Sequence, residues 1–322
     1  MPDHYGNLLL EQRKLLAGDA YVERTDQAVI RVSGTDAKKW LHSLLSQDIA
    51  NLSRGDSTEA LLLSPQGHIE HQIKIYVDEE ESLLLITADS RSDALISWFE
   101  KMKFRSKVII EKTSLRTFGL FSPIEGRIWV DHFSTPKPSS ASYNPNRHSF
   151  SYFELIAEDA PEKEPAGLLA YHALRIAAGR PEITDTDDKS LPHEFDWLSS
   201  AVHLNKGCYR GQETVSKVHN LGHPPRRLAL LDLETGDDLA NIDDLVFYGD
   251  KQVGKIVASA LHFERGSIAL ALLTRNTPYL NLAAEIGGRR IEATQEVLVP
   301  ADAGKAANLP RPSSFKLSGS RK

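Results

Sequence analysis

Hydrophobic and polar positions alternate most regularly over residues 68–77. Ile69, Ile73, Ile75 and Val77 fall on one face of a period-two pattern, and His68, Glu70, Gln72 and Lys74 fall on the other. That alternation predicts a half-buried strand, and it carries His71 onto the apolar face. Residues 60–63 and the turn Ser64-Pro65-Gln66-Gly67 complete a hairpin. Upstream, residues 28–32 read as a strand, and Ser33-Gly34-Thr35-Asp36 opens a helix through Leu45. Thr35 is its expected N-cap, and Trp40, Leu41, Leu44 and Leu45 form its apolar stripe. Residues 82–88 predict another strand, followed by a helix capped by Asp89 or Ser90 that turns Leu95, Ile96 and Phe99 inward. Further strands are expected near 107–112, 115–121, 127–131 and 150–157. The proline- and serine-rich stretch 134–147 reads as a long loop. Pro165 stands where a helix N-terminus accepts proline, and that helix ends at Gly179 with Pro181 just beyond.

From Leu228 the texture changes to short strands between glycine turns, at 228–233, 245–248, 252–260, 267–273 and 291–299. This spacing suggests a small β-barrel, with Pro224-Pro225 as the linker before it. The expected organisation is an α+β body over 1–222, a barrel over 223–300 and a disordered tail over 301–322.

Of the 322 residues, 41% are hydrophobic and 25% charged, with a formal charge of -6, as in an ordinary globular protein. The acidic balance argues against general nucleic-acid binding. No stretch approaches the roughly 20 apolar residues that span a bilayer, and the polar start does not resemble a signal peptide. One cysteine fits a reducing compartment, and a cytoplasmic location is expected.

That cysteine lies in Lys206-Gly207-Cys208-Tyr209-Arg210-Gly211-Gln212-Glu213. Around it, Lys206, Arg210, Lys217, Arg226 and Arg227 stand against Glu213 alone, and nearby cations favour a thiolate. Cys208 is therefore either a reactive or bridging thiol, or a small buried hydrophobe in a special loop. Gly207 and Gly211 could let backbone N–H groups approach an anion, helped by Lys206 and Arg210, or could simply form a tight turn. Gln212 and Glu213 read as loop anchors. His203, His219 and His223 are near in sequence, but spacing alone establishes neither a Cys–His pair nor a zinc site, and Gly222 and Pro224 argue against a helix there. One thiol cannot hold an iron–sulfur cluster, which usually takes four ligands, so any contact with a cluster would be shared with a partner.

The eight-residue motif resembles the Lys-Gly-Cys-aromatic-x-Gly-Gln-Glu signature of folate-binding proteins of the YgfZ type, relatives of the glycine-cleavage aminomethyltransferase (T-protein). Arg175-Ile176 through Gly179, with Pro181-Glu182-Ile183, is similar to the end of that family's central helix. Val253-Gly254-Lys255 through Ser259, with Ile268-Ala269-Leu270-Ala271, is similar to its barrel. The likeness runs from about residue 20 to 300. It implies a T-protein-like folate-binding body with ferredoxin-like elements and a terminal barrel. It also implies bound tetrahydrofolate or a derivative, no metal held by this chain alone, and a transient role with iron–sulfur proteins, tRNA-modifying enzymes among them.

Two departures bear on catalysis. The T-protein hairpin carries paired aspartates, one of them the catalytic acid, where this chain reads Glu70-His71. A T-protein glutamate that contacts the pterin corresponds here to Ala177. Aminomethyl transfer is therefore not expected, and no enzyme class follows from the residues. A one-carbon transferase using another acid and a pure protein-interaction adaptor stand as alternatives. The folate-side candidates are His71, Arg175, Lys206 and Arg210. His71 either opens onto the pocket or is a satisfied core residue. Arg175 either faces the pocket or bonds the last carbonyls of its helix.

Overall fold

The computed structural model describes residues 3–135, 140–144, 148–235 and 238–306. In chain order the elements are helix α1 (Leu8–Ala17), strands β1 (Ala20–Glu23) and β2 (Gln27–Ser33), helix α2 (Ala37–Leu44), strands β3 (Ser57–Leu63), β4 (Ile69–Glu79) and β5 (Ser82–Ala88), and helix α3 (Asp89–Met102). Strands β6 (Ile109–Lys112), β7 (Arg116–Leu120), β8 (Ile128–Val130), β9 (Phe153–Ala157) and β10 (Glu164–Ala166) follow, then helices α4 (Leu168–Ala177) and α5 (Gln212–Leu221). The barrel strands are β11 (Arg226–Leu233), β12 (Leu245–Tyr248), β13 (Lys251–His262), β14 (Gly266–Thr274), β15 (Leu282–Ile286) and β16 (Arg289–Val297).

One sheet has the order β10-β1-β7-β9-β8, a second has β3-β4-β5-β2-β6, and the last six strands close into a barrel. The apolar stripes dictate the layers. Trp40 and Leu41 of α2 and Leu95 and Phe99 of α3 cover the face of the second sheet that carries Ala60, Leu62, Ile73, Ile75 and Val77. The opposite face packs Val29, Tyr76, Leu84 and Ile86 against Val22, Trp129 and Ile156 of the first sheet and Tyr171 of α4. A third core ties body to barrel, with Leu61, Leu63, Ile69 and Ile176 meeting Leu228, Leu230, Val257 and Leu270. No helix among the described residues is long and apolar enough to cross a membrane.

Four expectations are corrected. Leu62 pairs with His71 but Leu63 pairs with Ile69, so Glu70 is an extra residue, a β-bulge. The bulge moves Ile69 off the face of Ile73 and Ile75 and into the core shared with the barrel. The polar face of β4 is also not wet. Gln72 and Lys74 are buried, because the first sheet covers that face. Pro165 lies in the edge strand β10, where it needs no ladder partner on its open side, and Gly167 is the N-cap of α4. Residues 301–306 of the expected tail are ordered against α5: Ala303 is buried and the Ala306 amide donates to the His219 carbonyl. The rest of that tail, and residues 136–139 and 145–147 of the expected long loop, lie outside the described residues.

Charges buried between the layers are paired. Arg180 donates to Glu59 and to Asp131, each at 2.8 Å. Glu59 also accepts from Ser200 at 2.7 Å and from Gln72 at 2.5 Å. Burial works against the Glu59 charge, but Arg180 outweighs it and holds the carboxyl below its ordinary range. Arg24 donates to Glu154 at 3.1 Å and to Glu182 at 2.7 Å, and Arg175 makes a two-pronged contact with Asp185 at 2.8 and 3.1 Å. Removing one partner from such a set leaves an uncompensated buried charge. Arg180→Met is expected to cost about 3–5 kcal/mol in urea denaturation, because it strands both Glu59 and Asp131. A loss below about 1 kcal/mol would show that the set contributes little.

Candidate functional site

Residues 206–213 enter α5, and the Lys206, Tyr209 and Arg210 side chains are engaged by partners other than the thiol. The Lys206 ammonium donates to the carbonyls of His42, Leu45 (2.6 Å) and Gln47 (3.0 Å), capping the C-terminal end of α2. Burial pulls its pKa down to about 8, with Asp48 working the other way. Tyr209 is buried in the core between body and barrel, with the Lys206 ammonium 5.3 Å from its ring centre. Arg210 donates to Glu70 at 2.7 Å and lies over the Trp98 ring at 5.5 Å. The Gln212 amide reaches the Lys206 carbonyl at 3.4 Å, and Glu213 is exposed in the first turn of α5. Cys208 itself is exposed.

Gly211 is a steric requirement. Its φ is +81°, and a Cβ there would sit 2.6 Å from the Ser64 carbonyl oxygen. Gly67 is its counterpart, also at +81°, with Thr214 filling the space its own Cβ would take. The loop is thus seated on the β3–β4 turn. Gly207 meets nothing within 4 Å and carries no such demand.

The expectation of a helix-free stretch around His219 is overturned, because α5 runs to Leu221. His219 meets the Tyr143 hydroxyl at 2.9 Å and His223 the Ala303 carbonyl at 2.8 Å, so neither is bonded to Cys208. Among the described residues no cluster of three or more His, Cys, Asp or Glu is placed to hold a metal ion. His71 is buried on the helix-covered face of β4 with Nδ1 unpaired. Burial, and secondarily Arg91, pull its pKa down to about 4.

Three of the cavities among the described residues lie within the body or between it and the barrel. The first, about 320 Å³, lies within the body between the start of β2 (Asp26, Gln27), β4 (Gln72, Lys74), the start of α3 and residues 182–184. The second, about 370 Å³, runs from Phe121, Phe150 and Ala177 to His262 and Arg265 of the barrel. The third, about 350 Å³, separates α4 from β13, with Arg175, Ile176, Val257 and Leu261 in its walls. The first and third share Asp26, Glu182 and Thr184. All three fall in the range of small-molecule sites, roughly 300–1,000 Å³. Of the expected folate residues, Arg175 lines the third cavity, whereas His71, Lys206 and Arg210 line none of these three, nor does Cys208.

Sequence reasoning missed Asp26 and Gln72. Asp26 receives the Arg24 guanidinium at 2.9 and 2.7 Å with its side chain 36% exposed. Burial opposes its charge, yet Arg24 prevails and holds the carboxyl below its ordinary range. Gln72 faces the first cavity, on the side of β4 opposite Ile73 and Ile75. Its amide donates to Glu59 and accepts from the Ile183 amide at 2.9 Å. No glycine or proline marks the bulge at Glu70, so the sequence carries no signal for it.

No family model matches the chain. The chain is 27% identical over 225 residues to the iron–sulfur cluster assembly factor IBA57 homolog, mitochondrial, of Mycosarcoma maydis, covering 64% of this chain and 55% of that protein. It is 28% identical over 104 residues to an aminomethyltransferase of Chromobacterium violaceum, 32% of this chain and 28% of that one. The chain therefore spans about half of the assembly factor's length and less of the transferase's. The crystal structure of glycine cleavage system aminomethyltransferase T from Bartonella henselae superposes with a TM-score of 0.73 at 17% identity, over 92% of this chain and 91% of that one. The fold is that of a T-protein, and the sequence relatives include assembly factors and aminomethyltransferases, in line with the resemblance carried by residues 206–213.

Two outcomes follow from this geometry. A histidine held neutral in the fold and free to protonate when unfolded loses stability as pH falls from about 6.5 towards 4. His71→Leu is expected to remove about 2 kcal/mol of the stability lost between pH 7 and pH 5, read from urea melts at both values. An unchanged pH dependence would mean that His71 protonates freely in the fold. Gly211→Ala is expected to cost about 2–4 kcal/mol, from left-handed strain plus the clash with Ser64, whereas Gly207→Ala stays within about 1 kcal/mol in the same denaturation assay.

Proposed function

We propose that the protein binds tetrahydrofolate or a derivative in the chamber around Asp26 and Gln72. In this reading it acts in the cytoplasm as an accessory factor that assembles or repairs iron–sulfur clusters in client enzymes, tRNA-modifying enzymes among them. The T-protein fold and the assembly-factor relatives support the two halves of the reading. The observation that carries it is the chemistry at the chamber wall: ligand-sized space remains, and the hairpin side chains that face it are Gln72, an amide with no acid proton to give, and Lys74, which is tied to Glu154. Glu70 is spent on Arg210, and His71 lies on the far face of the strand. The proposed reading is binding without transfer, with Asp26, Asp89 and Glu182 as the carboxylates at the wall.

The residues fit a reduced folate. A pterin presents an amino-pyrimidinone edge of N–H donors, and Asp26 offers an ionised, half-exposed carboxylate whose lone pairs are not all taken by Arg24. Thr25, Thr87, Ser90 and Thr184 supply further hydroxyls, and the adjoining third cavity has apolar walls for the remainder of the molecule. Arg175, locked to Asp185, shapes that wall and is not a free cation for the ligand.

Cys208 supplies one exposed thiol, and a cluster contact through it needs ligands from the partner. The thiol is displayed by a loop anchored on α2 through Lys206 and on the hairpin through Gly211 and Arg210. Partner and protein are thus expected to meet at this loop.

Cys208→Ser is expected to retain the wild-type melting temperature while lowering the activity of an iron–sulfur client at least about tenfold in cells that lack the natural protein. Full client activity would remove the thiol from the mechanism. Formaldehyde release from an aminomethyl donor in the presence of tetrahydrofolate is expected to stay at the level of the protein-free control. A tetrahydrofolate-dependent release above it would establish a transferase instead.

A further inference from the structure

We propose that the turn following α3 is a docking surface for an acidic segment of a protein partner, anchored by Phe104. The proposal stands on the geometry of this turn and not on the folate reading.

Phe104 is 81% exposed, and its backbone lies in the left-handed region at φ +43°. An aromatic residue with a Cβ adopts that conformation at a cost, and an exposed ring regains little from packing. The turn is nevertheless held firmly. The Trp40 indole donates to the Met102 carbonyl at 3.1 Å, the Lys107 amide to Asp36 at 2.8 Å, and the Ser106 amide to the Lys103 carbonyl at 2.9 Å. Gly34 admits the turn from the other side, since a Cβ there would fall 2.1 Å from the Lys107 carbonyl oxygen. Strain held rigid at an exposed aromatic suits an anchor that meets its partner without reordering.

The charge around it is mainly positive, although Asp36 lines the same cleft and Glu100 pairs with Lys103. Lys39, Lys101, Arg105 and Lys107 are exposed, and none has an ion-pair partner among the described residues; Lys103 meets Glu100 at 3.6 Å. Lys101 and Lys103 complement the C-terminal dipole of α3, but Arg105 and Lys107 lie beyond it. Lys39 stands in the first turn of α2, where the helix dipole disfavours a cation. An open cleft of about 650 Å³ runs from Phe104 and Arg105 to Lys39, Trp40 and Ser43, with Asp36, which caps the Lys107 amide, as its one acidic wall residue. In a chain of formal charge -6, this basic, aromatic-tipped cleft complements an acidic partner bearing an apolar side chain. A single-stranded nucleic acid is the poorer match, because it stacks on successive aromatic faces and Trp40 is buried.

The test is p-benzoylphenylalanine placed at position 104 of the full chain and photo-crosslinked in cells. The expected result is a discrete protein adduct whose crosslinked peptide is rich in Asp and Glu, with a yield falling at least about tenfold when Lys39→Glu and Arg105→Glu are combined. Adducts with RNA or lipid only, no discrete adduct, or a yield indifferent to charge reversal would each overturn the proposal. Phe104→Gly provides a second reading. An anchor predicts a melting temperature equal to or above that of the wild type, and a marked drop would make Phe104 a folding element and end the proposal.

Discussion

The buried arginine–carboxylate network between the two sheets is the constraint on which the rest of the molecule depends. Arg180 holds Glu59 and Asp131 on one side, and Arg24 with Arg175 holds Glu154, Glu182 and Asp185 on the other. Gln72 touches both groups, through Glu59 and through the amide of Ile183. Such a network cannot collapse as an apolar core does, because every partner must keep its hydrogen-bond distance. The chamber beside Gln72 and Asp26 follows from that rigidity. An interior of aliphatic side chains would close over the same volume.

Strand β4 transmits this order to the cysteine loop. The bulge at Glu70 points one carboxylate outward to Arg210 and sets the next side chains in opposite directions, His71 towards the helices and Gln72 towards the chamber. The same hairpin turn receives Gly211 against Ser64. One strand register therefore decides both what faces the ligand-sized space and where Cys208 is displayed. The cations beside the thiol serve this placement: Lys206 completes the end of α2 and Arg210 completes the bulge. Both cations are thereby bonded to the body, and Cys208 stays exposed between them.

The elements with local signals were legible in the chain. The Ser64–Gly67 turn announced the hairpin, and the glycine-separated strands announced the barrel, although β15 between 282 and 286 lacked a clear pattern. What escaped depended on distant partners. Gln72 and Lys74 look solvent-facing by alternation, yet the group that buries Lys74 is Glu154, 80 positions away. Lys206 looks like a neighbour of Cys208, yet its acceptors begin at His42, 164 positions earlier. The Glu70 bulge leaves no mark, and it alone moves Ile69 off the face of Ile73 and Ile75. The family motif, by contrast, pointed to the right fold, because its glycine and its lysine are the residues that seat the loop.

The proposed folate chamber keeps its space without the T-protein's hairpin acid. Calorimetric titration of the full chain with tetrahydrofolate tests it most directly, alongside Ala88→Leu, which fills part of the chamber wall. One-to-one binding is expected with a Kd of about 1–10 μM, roughly -7 to -8 kcal/mol, weakened at least about tenfold in Ala88→Leu at an unchanged melting temperature. No binding up to about 1 mM, or binding indifferent to the Ala88→Leu substitution, would contradict it.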